Sequence, residues 1–227
     1  MITDELQDLA DPKKAKQLSR YFKTGRGEYG EGDVFLGLRV PDIRKIAKGY
    51  TSLSLGELEK LLGNEIHEYR LAALLILVEK FKRADEKERK RIYEFYLKNT
   101  DGIDNWDLVD LSAHEIVGRY LLDKKPDALY RLARSGNMWE RRIAVLATYT
   151  FIRNNRFDEN LKIAKMLLYD EQDLIHKAVG WMLREIGKRN QDAEERFLRR
   201  YYKKMPRTML RYAIEKFDGK KRKYYMS

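Results

Sequence analysis

The segment Asn105-Trp-Asp-Leu-Val-Asp110 holds the residues best placed to do chemistry. Trp106 and Asp110 stand four positions apart, so on a helix they share one face near its N-terminal end. A carboxylate there does electrostatic work on a bound molecule or accepts a hydrogen bond from a neighbouring helix end. An indole beside it is a binding face or ordinary packing between helices. The residue types alone leave both pairs of readings open.

Asp110 stands out against an internal repeat. Arg70-Leu-Ala-Ala, Asp107-Leu-Val-Asp, Arg142-Ile-Ala-Val, Lys177-Ala-Val-Gly and Arg211-Tyr-Ala-Ile follow one another at intervals of 37, 35, 35 and 34 residues. Such a period, with helical patterning inside it, marks a stack of helix pairs. The fourth slot is Ala73, Val145, Gly180 and Ile214 in four copies but Asp110 in the remaining one. A carboxylate among small and apolar siblings is costly unless it has a role. Trp106 takes a slot filled elsewhere by Tyr69, Arg141, His176 and Leu210, mostly polar or amphipathic residues that border solvent. Arg142 and Lys177 open equivalent helices, and a cation repeated once per unit would line one surface suited to a phosphate backbone. The alternative for them is a solvated charged face. Trp181 occupies a slot that is Leu74, Leu111 and Leu146 elsewhere, which reads as core, and Trp139 reads as packing too.

Other patterns carry less. Gly25-Arg-Gly27-Glu-Tyr-Gly30 has the spacing of a dinucleotide loop, but a helix precedes it and Glu28, Glu31 and Asp33 would repel phosphate. It reads as a flexible connector. His67, His114 and His176 are scattered, position 118 is Gly where a zinc helix needs its second His, and no cysteine is present, so neither a metal nor another cofactor is expected.

The elements that must hold these residues are helices throughout. Leu58, Leu61, Leu62 and Ile66 share a face, as do Leu71, Leu74, Leu75 and Val78. Breakers fall at Gly63-Asn64, 99–102, 135–137, Asn154-Asn155 and Pro206, with Asp104 or Asn105 and Asn137 as candidate caps. The fold class expected is all-α, a superhelical solenoid of HEAT-like antiparallel helix pairs over residues 1–219, with 220–227 as a frayed basic tail. The longest apolar run, Leu71 to Val78, is far too short to span a bilayer, and no signal-peptide core opens the chain. Lys plus Arg number 47 against 36 Asp plus Glu, a net charge of +11, which favours a polyanionic partner. A cytoplasmic monomer, joining the nucleoid when bound to DNA, is the expectation.

Taken in order, Ser19-Arg-Tyr21 with Phe35-Leu-Gly-Leu38, Trp106-Asp-Leu-Val-Asp110, Asn137-Met-Trp-Glu-Arg-Arg142-Ile-Ala and Lys177-Ala-Val-Gly-Trp181-Met-Leu-Arg-Glu185 resemble the AlkD-type DNA alkylation repair glycosylases, from about Tyr21 to Phe217. The resemblance implies hydrolysis of the N-glycosidic bond of cationic N3- or N7-alkylated purines in double-stranded DNA, without base flipping. It places the catalytic carboxylate on Asp110, the aromatic groups on Trp106, Trp181 and Tyr21, and phosphate contacts on Arg142, Lys177 and Arg184. Asn105 departs from relatives that carry a second tryptophan there, and the glycine-rich loop is longer than in those relatives. Two other readings use the same residues differently: a non-catalytic HEAT-repeat protein that binds distorted or branched DNA, and a protein–protein scaffold. The scaffold gives no account of Asp110.

Overall fold

A computed structural model describes residues 1–227. Its regular structure is helical, with a single parallel bridge between Val34 and Ile66. The chain packs as two compact units, Met1–Ser112 and Ala113–Ser227. No helix is long and apolar enough to cross a membrane.

The first unit holds α1 (Ile2–Gln7), α2 (Pro12–Tyr21), α3 (Val40–Ala47), α4 (Leu55–Leu62), α5 (His67–Arg83), α6 (Glu86–Lys98) and α7, which opens at Trp106 and runs one residue past the border, to Ala113. Local chemistry sets the helix starts. Asp11 accepts the amides of Lys13 and Lys14, both at 3.1 Å, ahead of Pro12. Ser54 and Glu57 form a reciprocal capping box on α4. The apolar run Leu71 to Val78 is buried all round because α5 is the centre of this unit, with α3, α4 and α6 packed against it.

At the N-terminal end of α5 three polar residues, His67, Glu68 and Arg70, are buried together with Tyr69. Glu68, 1% exposed, accepts the amides of Leu36 at 2.9 Å, Gly37 at 2.8 Å and Leu38 at 3.2 Å. The Phe35-Leu-Gly-Leu38 motif is therefore a turn folded around a buried carboxylate. Gly37 makes it possible. Its φ is +92°, and a Cβ there would lie 2.3 Å from the Asp11 carbonyl oxygen and 2.6 Å from the Ala15 amide. Gly37→Ala should cost about 2–3 kcal/mol or more in urea unfolding, since both obstacles are backbone and neither can swing aside. A loss below about 0.5 kcal/mol would show that the turn relaxes.

The glycine-rich loop is more ordered than a flexible connector. Glu28 accepts the Gly25 amide at 3.0 Å, Glu31 accepts the Gly27 amide at 2.8 Å, and the Gly30 amide reaches the Lys23 carbonyl at 3.1 Å. The carboxylates that argued against phosphate thus serve as the loop's own anion ligands.

The second unit opens with a π-helical turn at His114–Gly118 and holds α8 (Arg119–Leu121), α9 (Asp127–Leu132), α10 (Met138–Arg153), α11 (Asp158–Met166), α12 (Asp173–Gly187), α13 (Gln191–Tyr201), α14 (Arg207–Ala213) and α15 (Gly219–Met226). The repeat read from sequence reappears here as packing. Successive repeat helices α10, α12 and α14 lie against one another, while α11 and α13 pack on α10 and α12. Gly180 explains its own slot: a Cβ there would sit 2.4 Å from the Met209 carbonyl oxygen, so α12 and α14 meet through a residue without a side chain. Asn137 caps α10 by accepting the Trp139 amide at 2.8 Å, and Trp139 is buried.

The basic C-terminus is not frayed. Residues 219–226 form α15, capped where Asp218 accepts the Lys221 amide at 2.9 Å, and Tyr225 is buried against Phe217 and Tyr202. The run of cations hid a buried aromatic two residues beyond it.

Candidate active site

Asn105 sets the start of α7. It is fully buried, accepts the Trp106 amide on Oδ1 at 2.8 Å and donates from Nδ2 to Asp33 Oδ2 at 2.8 Å. The position at which this chain departs from the resembling family is thus where α7 is tied to the end of the glycine-rich loop. A tryptophan could make neither bond in that way.

Trp106 follows, half-buried, its indole stacked on Phe22 with centroids 4.9 Å apart and planes 7° from parallel. Tyr21 meets the same indole edge-on at 5.9 Å and is itself 66% exposed. The stack continues inward from Phe22 to Phe35 at 5.0 Å and from Phe35 to the His67 ring at 4.6 Å. Tyr21 and Trp106, 85 positions apart in the chain, therefore form one aromatic surface whose outer edge is open to solvent.

Asp110 lies one helical turn after Trp106 and is half-buried. It is near enough to the buried Tyr96 to act on it: burial raises the phenol's pKa, and the negative charge of Asp110 adds to that shift. The Tyr96 hydroxyl itself is bonded to Ser112 Oγ at 2.8 Å.

Asp107 faces the interior of the first unit. It is buried, and its Oδ2 lies 2.9 Å from Nε2 of His67, whose Nδ1 lies 3.2 Å from Asp33 Oδ2. Burial alone would lower the pKa of His67, yet the hydrogen bonds to Asp107 and Asp33 outweigh it and carry the imidazole up to about 9. The ring is a cation at neutral pH, donating from both nitrogens. Burial would likewise raise the Asp33 carboxyl, but hydrogen bonds from His67, Arg70 and Asn105 hold it below the usual carboxylate range. Arg70 donates to Asp33 and lies 3.4 Å from Asp104, whose carboxyl burial pushes upward against the pull of Arg70. Two cations, His67 and Arg70, thus face the carboxylates of Asp33 and Asp107 inside the unit. With the two ring nitrogens of His67 engaged on opposite sides, this group is an ion-pair bridge rather than a chelate. No set of three or more His, Cys, Asp or Glu gathers as metal ligands do.

In the second unit, Trp181 is half-buried on α12, donating from Nε1 to Glu185 Oε1 at 3.3 Å. Tyr149 on α10 lies 6.3 Å from its ring and 5.6 Å from His114, an aromatic row that spacing had not suggested. Lys177 keeps 39% of its side chain exposed and pairs with Asp173 at 2.8 Å, one turn before it. Arg184 has 16% exposed, bonds Glu215, and leaves a buried Nε without a partner. Arg142 does not sit on a solvated face: it is 4% exposed, with Nη1 donating to the Leu174 carbonyl at 2.6 Å. Arg70 in the same repeat slot is buried too and donates to the Asn64 carbonyl, whereas Lys177 and Arg211 in that slot reach solvent.

An all-helical protein with an aromatic-flanked carboxylate at the start of a repeat helix is the class this fold and site define. The model of the family described as DNA alkylation repair enzyme matches residues 2–217, so the chain belongs to that family. Among solved structures it is similar to a predicted DNA alkylation repair enzyme from Enterococcus faecalis, at 18% identity and a TM-score of 0.70, over 92% of this chain and 97% of that one. It is also similar to smu.31 from Streptococcus mutans UA159, at 19% identity and a TM-score of 0.53, over 96% of this chain and 98% of that one. At such identities the likeness is one of fold. The curated proteins offer no match.

Proposed function

We propose that this protein is a DNA glycosylase that releases cationic N3- and N7-alkylated purines from duplex DNA. The observation that carries the reading is the face on which Trp106, with solvent-exposed Tyr21 against it, stands one turn before Asp110. An alkylated purine of this kind already carries positive charge. When the C1′–N bond breaks, the electron pair stays with the base, which leaves neutral, so no acid is needed to protonate it. The positive charge moves to the sugar as an oxocarbenium ion, and water completes the substitution at C1′ and releases a proton.

Asp110 stabilises that sugar electrostatically and orients the water. The π faces of Trp106 and Tyr21 face developing positive charge, each contributing roughly 0.5–2 kcal/mol, and the family resemblance assigns the same role to Trp181. Since about 1.4 kcal/mol is tenfold in rate, a few such terms suffice for a bond that alkylation has already weakened. A mechanism acting on the sugar does not require the base to leave the stack. Consistent with this, the cavity of about 330 Å³ lined by Phe22, Phe35, Leu38, Ile43, His67 and Asp107 has neither Trp106 nor Asp110 in its wall. Bulky cationic adducts should then be released as well as small ones.

Lys177 and Arg184 are assigned to the phosphate backbone, whereas buried Arg142 is held on the Leu174 carbonyl and is not. Lys177, the more exposed of the two, gives the cleaner test. Lys177→Ala should weaken binding to any duplex several-fold and reduce the slope of log affinity against log salt by about 1, with thermal stability unchanged. An unaltered slope would move that contact elsewhere. The reading as a whole is tested by incubating the protein with duplexes carrying N7-methylguanine or a bulky N7-alkylguanine and measuring free base released. Release of both supports it. Salt-dependent binding with no release would instead make this a DNA-binding member of the family without glycosylase activity.

A further inference from the structure

Between the exposed aromatic surface and the centre of the first unit lies a charged group that the proposed chemistry does not touch. His67 bridges Asp33, at the end of the glycine-rich loop, and Asp107, between Trp106 and Asp110 in the first turn of α7. The ring also stacks on Phe35 at 4.6 Å and lies 5.1 Å from Phe22, on which Trp106 is stacked. His67 thus joins α5 both to the aromatic stack and to α7, while Arg70 reaches Trp106 through Asp33 and Asn105.

We propose that His67 is a positioning residue for the reaction: its bridge from Asp33 to Asp107 fixes the first turn of α7, and with it the direction in which Trp106 and Asp110 are presented. This rests on the reading of Asp110 as the catalytic carboxylate. The geometry gives the bridge its force. Asp107 and Asp110 are three residues apart on one short helix, so a rotation of α7 that releases one carboxylate displaces the other. Asn105 supplies a second tie from the same turn to the same Asp33, and the two converge on one carboxylate.

The bridge is held together by charge, so it answers to pH. The groups facing His67 are Asp33 from the loop, Asp107 from α7, Asp104 just ahead of α7, and Glu68 and Arg70 from its own helix. Lys14 of α2 and Arg39, ahead of α3, line the cavity it borders. Because the imidazole is raised from 6.5 to about 9 in the folded protein, the fold binds its proton more tightly than the unfolded chain does. Its contribution to stability is therefore complete below about pH 6.5 and lost as pH rises through about 9. Deprotonation leaves one ring nitrogen without a proton against a buried carboxylate, and the bridge opens on that side.

The test joins a structural readout to a kinetic one. The indole resonance of Trp106 is followed by NMR from about pH 6 to about pH 10, in wild type and in His67→Gln. In wild type it should shift with a midpoint near 9, and in the variant that step should be absent. Single-turnover release of N7-methylguanine should fall at least about tenfold in His67→Gln, with duplex affinity within about twofold of wild type. A Trp106 resonance unmoved across that range in wild type would overturn the proposal, and so would wild-type release by His67→Gln. Should His67→Gln not fold, the wild-type titration still decides. If wild type releases no base, the failure belongs to the proposed function, and the Trp106 titration alone decides whether His67 pins α7.

Discussion

Asp110→Asn is expected to lower release of N7-methylguanine by about a hundredfold to a thousandfold while leaving duplex binding intact or slightly stronger. The substitution keeps the shape of the side chain and removes its charge. A carboxylate about 4 Å from a developing cation, at an effective dielectric near 20, is worth roughly 4 kcal/mol, which corresponds to about three decades of rate. The loss should fall on the chemical step, because the same charge repels the phosphates of the bound strand. Half-buried Asp110 is also felt by the Tyr96 phenol, so neutralising it should ease that ionisation, and the fold should tolerate the change. Undiminished release by Asp110→Asn under single-turnover conditions would remove the catalytic assignment.

Glu68→Ala should have the largest effect on stability, a loss of about 3–5 kcal/mol in urea unfolding, out of the roughly 5–15 kcal/mol typical of a domain. Three amides lose their acceptor at once, those of Leu36, Gly37 and Leu38, at a carboxylate that is only 1% exposed. Each orphaned donor costs about 1–3 kcal/mol if nothing replaces the carboxylate. Glu68→Gln should cost less, because one amide oxygen still serves the pair of donors on Oε1. The turn at 36–38 also carries the Leu36 carbonyl that receives the Asp11 amide at 2.8 Å, so its loss should propagate to the start of α2. An Ala variant within about 0.5 kcal/mol of wild type would mean that water occupies the vacated site.

Much of the fold was legible because helical repeats announce themselves by period. The positions of α10, α12 and α14 follow from Arg142, Lys177 and Arg211, and the anomaly at Asp110 appears when copies are compared slot by slot. The ion network was not legible by that route. Periodicity relates residues on one helix, whereas Asp33 meets Asn105 across 72 positions and His67 meets Asp107 across 40. One signal was nonetheless present: Asp107 stands in a slot that is Arg or Lys in the other four copies, a reversal of charge that calls for a buried cation opposite. Arg142 shows the converse limit. A cation recurring once per repeat suggested a solvated stripe, but at Arg70 and Arg142 the slot faces the interior, where arginine bonds backbone carbonyls. The glycine-rich loop read as slack because glycines permit disorder. Its own carboxylates and the burial of Asp33 give it fixed partners instead.

The claim on which the enzymatic account depends is that a carboxylate, with no acid to assist the leaving base, suffices because the base is already cationic. The measurement that bears on it most directly is release of free base from two matched duplexes, one carrying N7-methylguanine and the other a neutral damaged base such as hypoxanthine, corrected for spontaneous loss. The account predicts catalysed release of N7-methylguanine and none of the neutral base. Equal release of both, or release of neither, would contradict it.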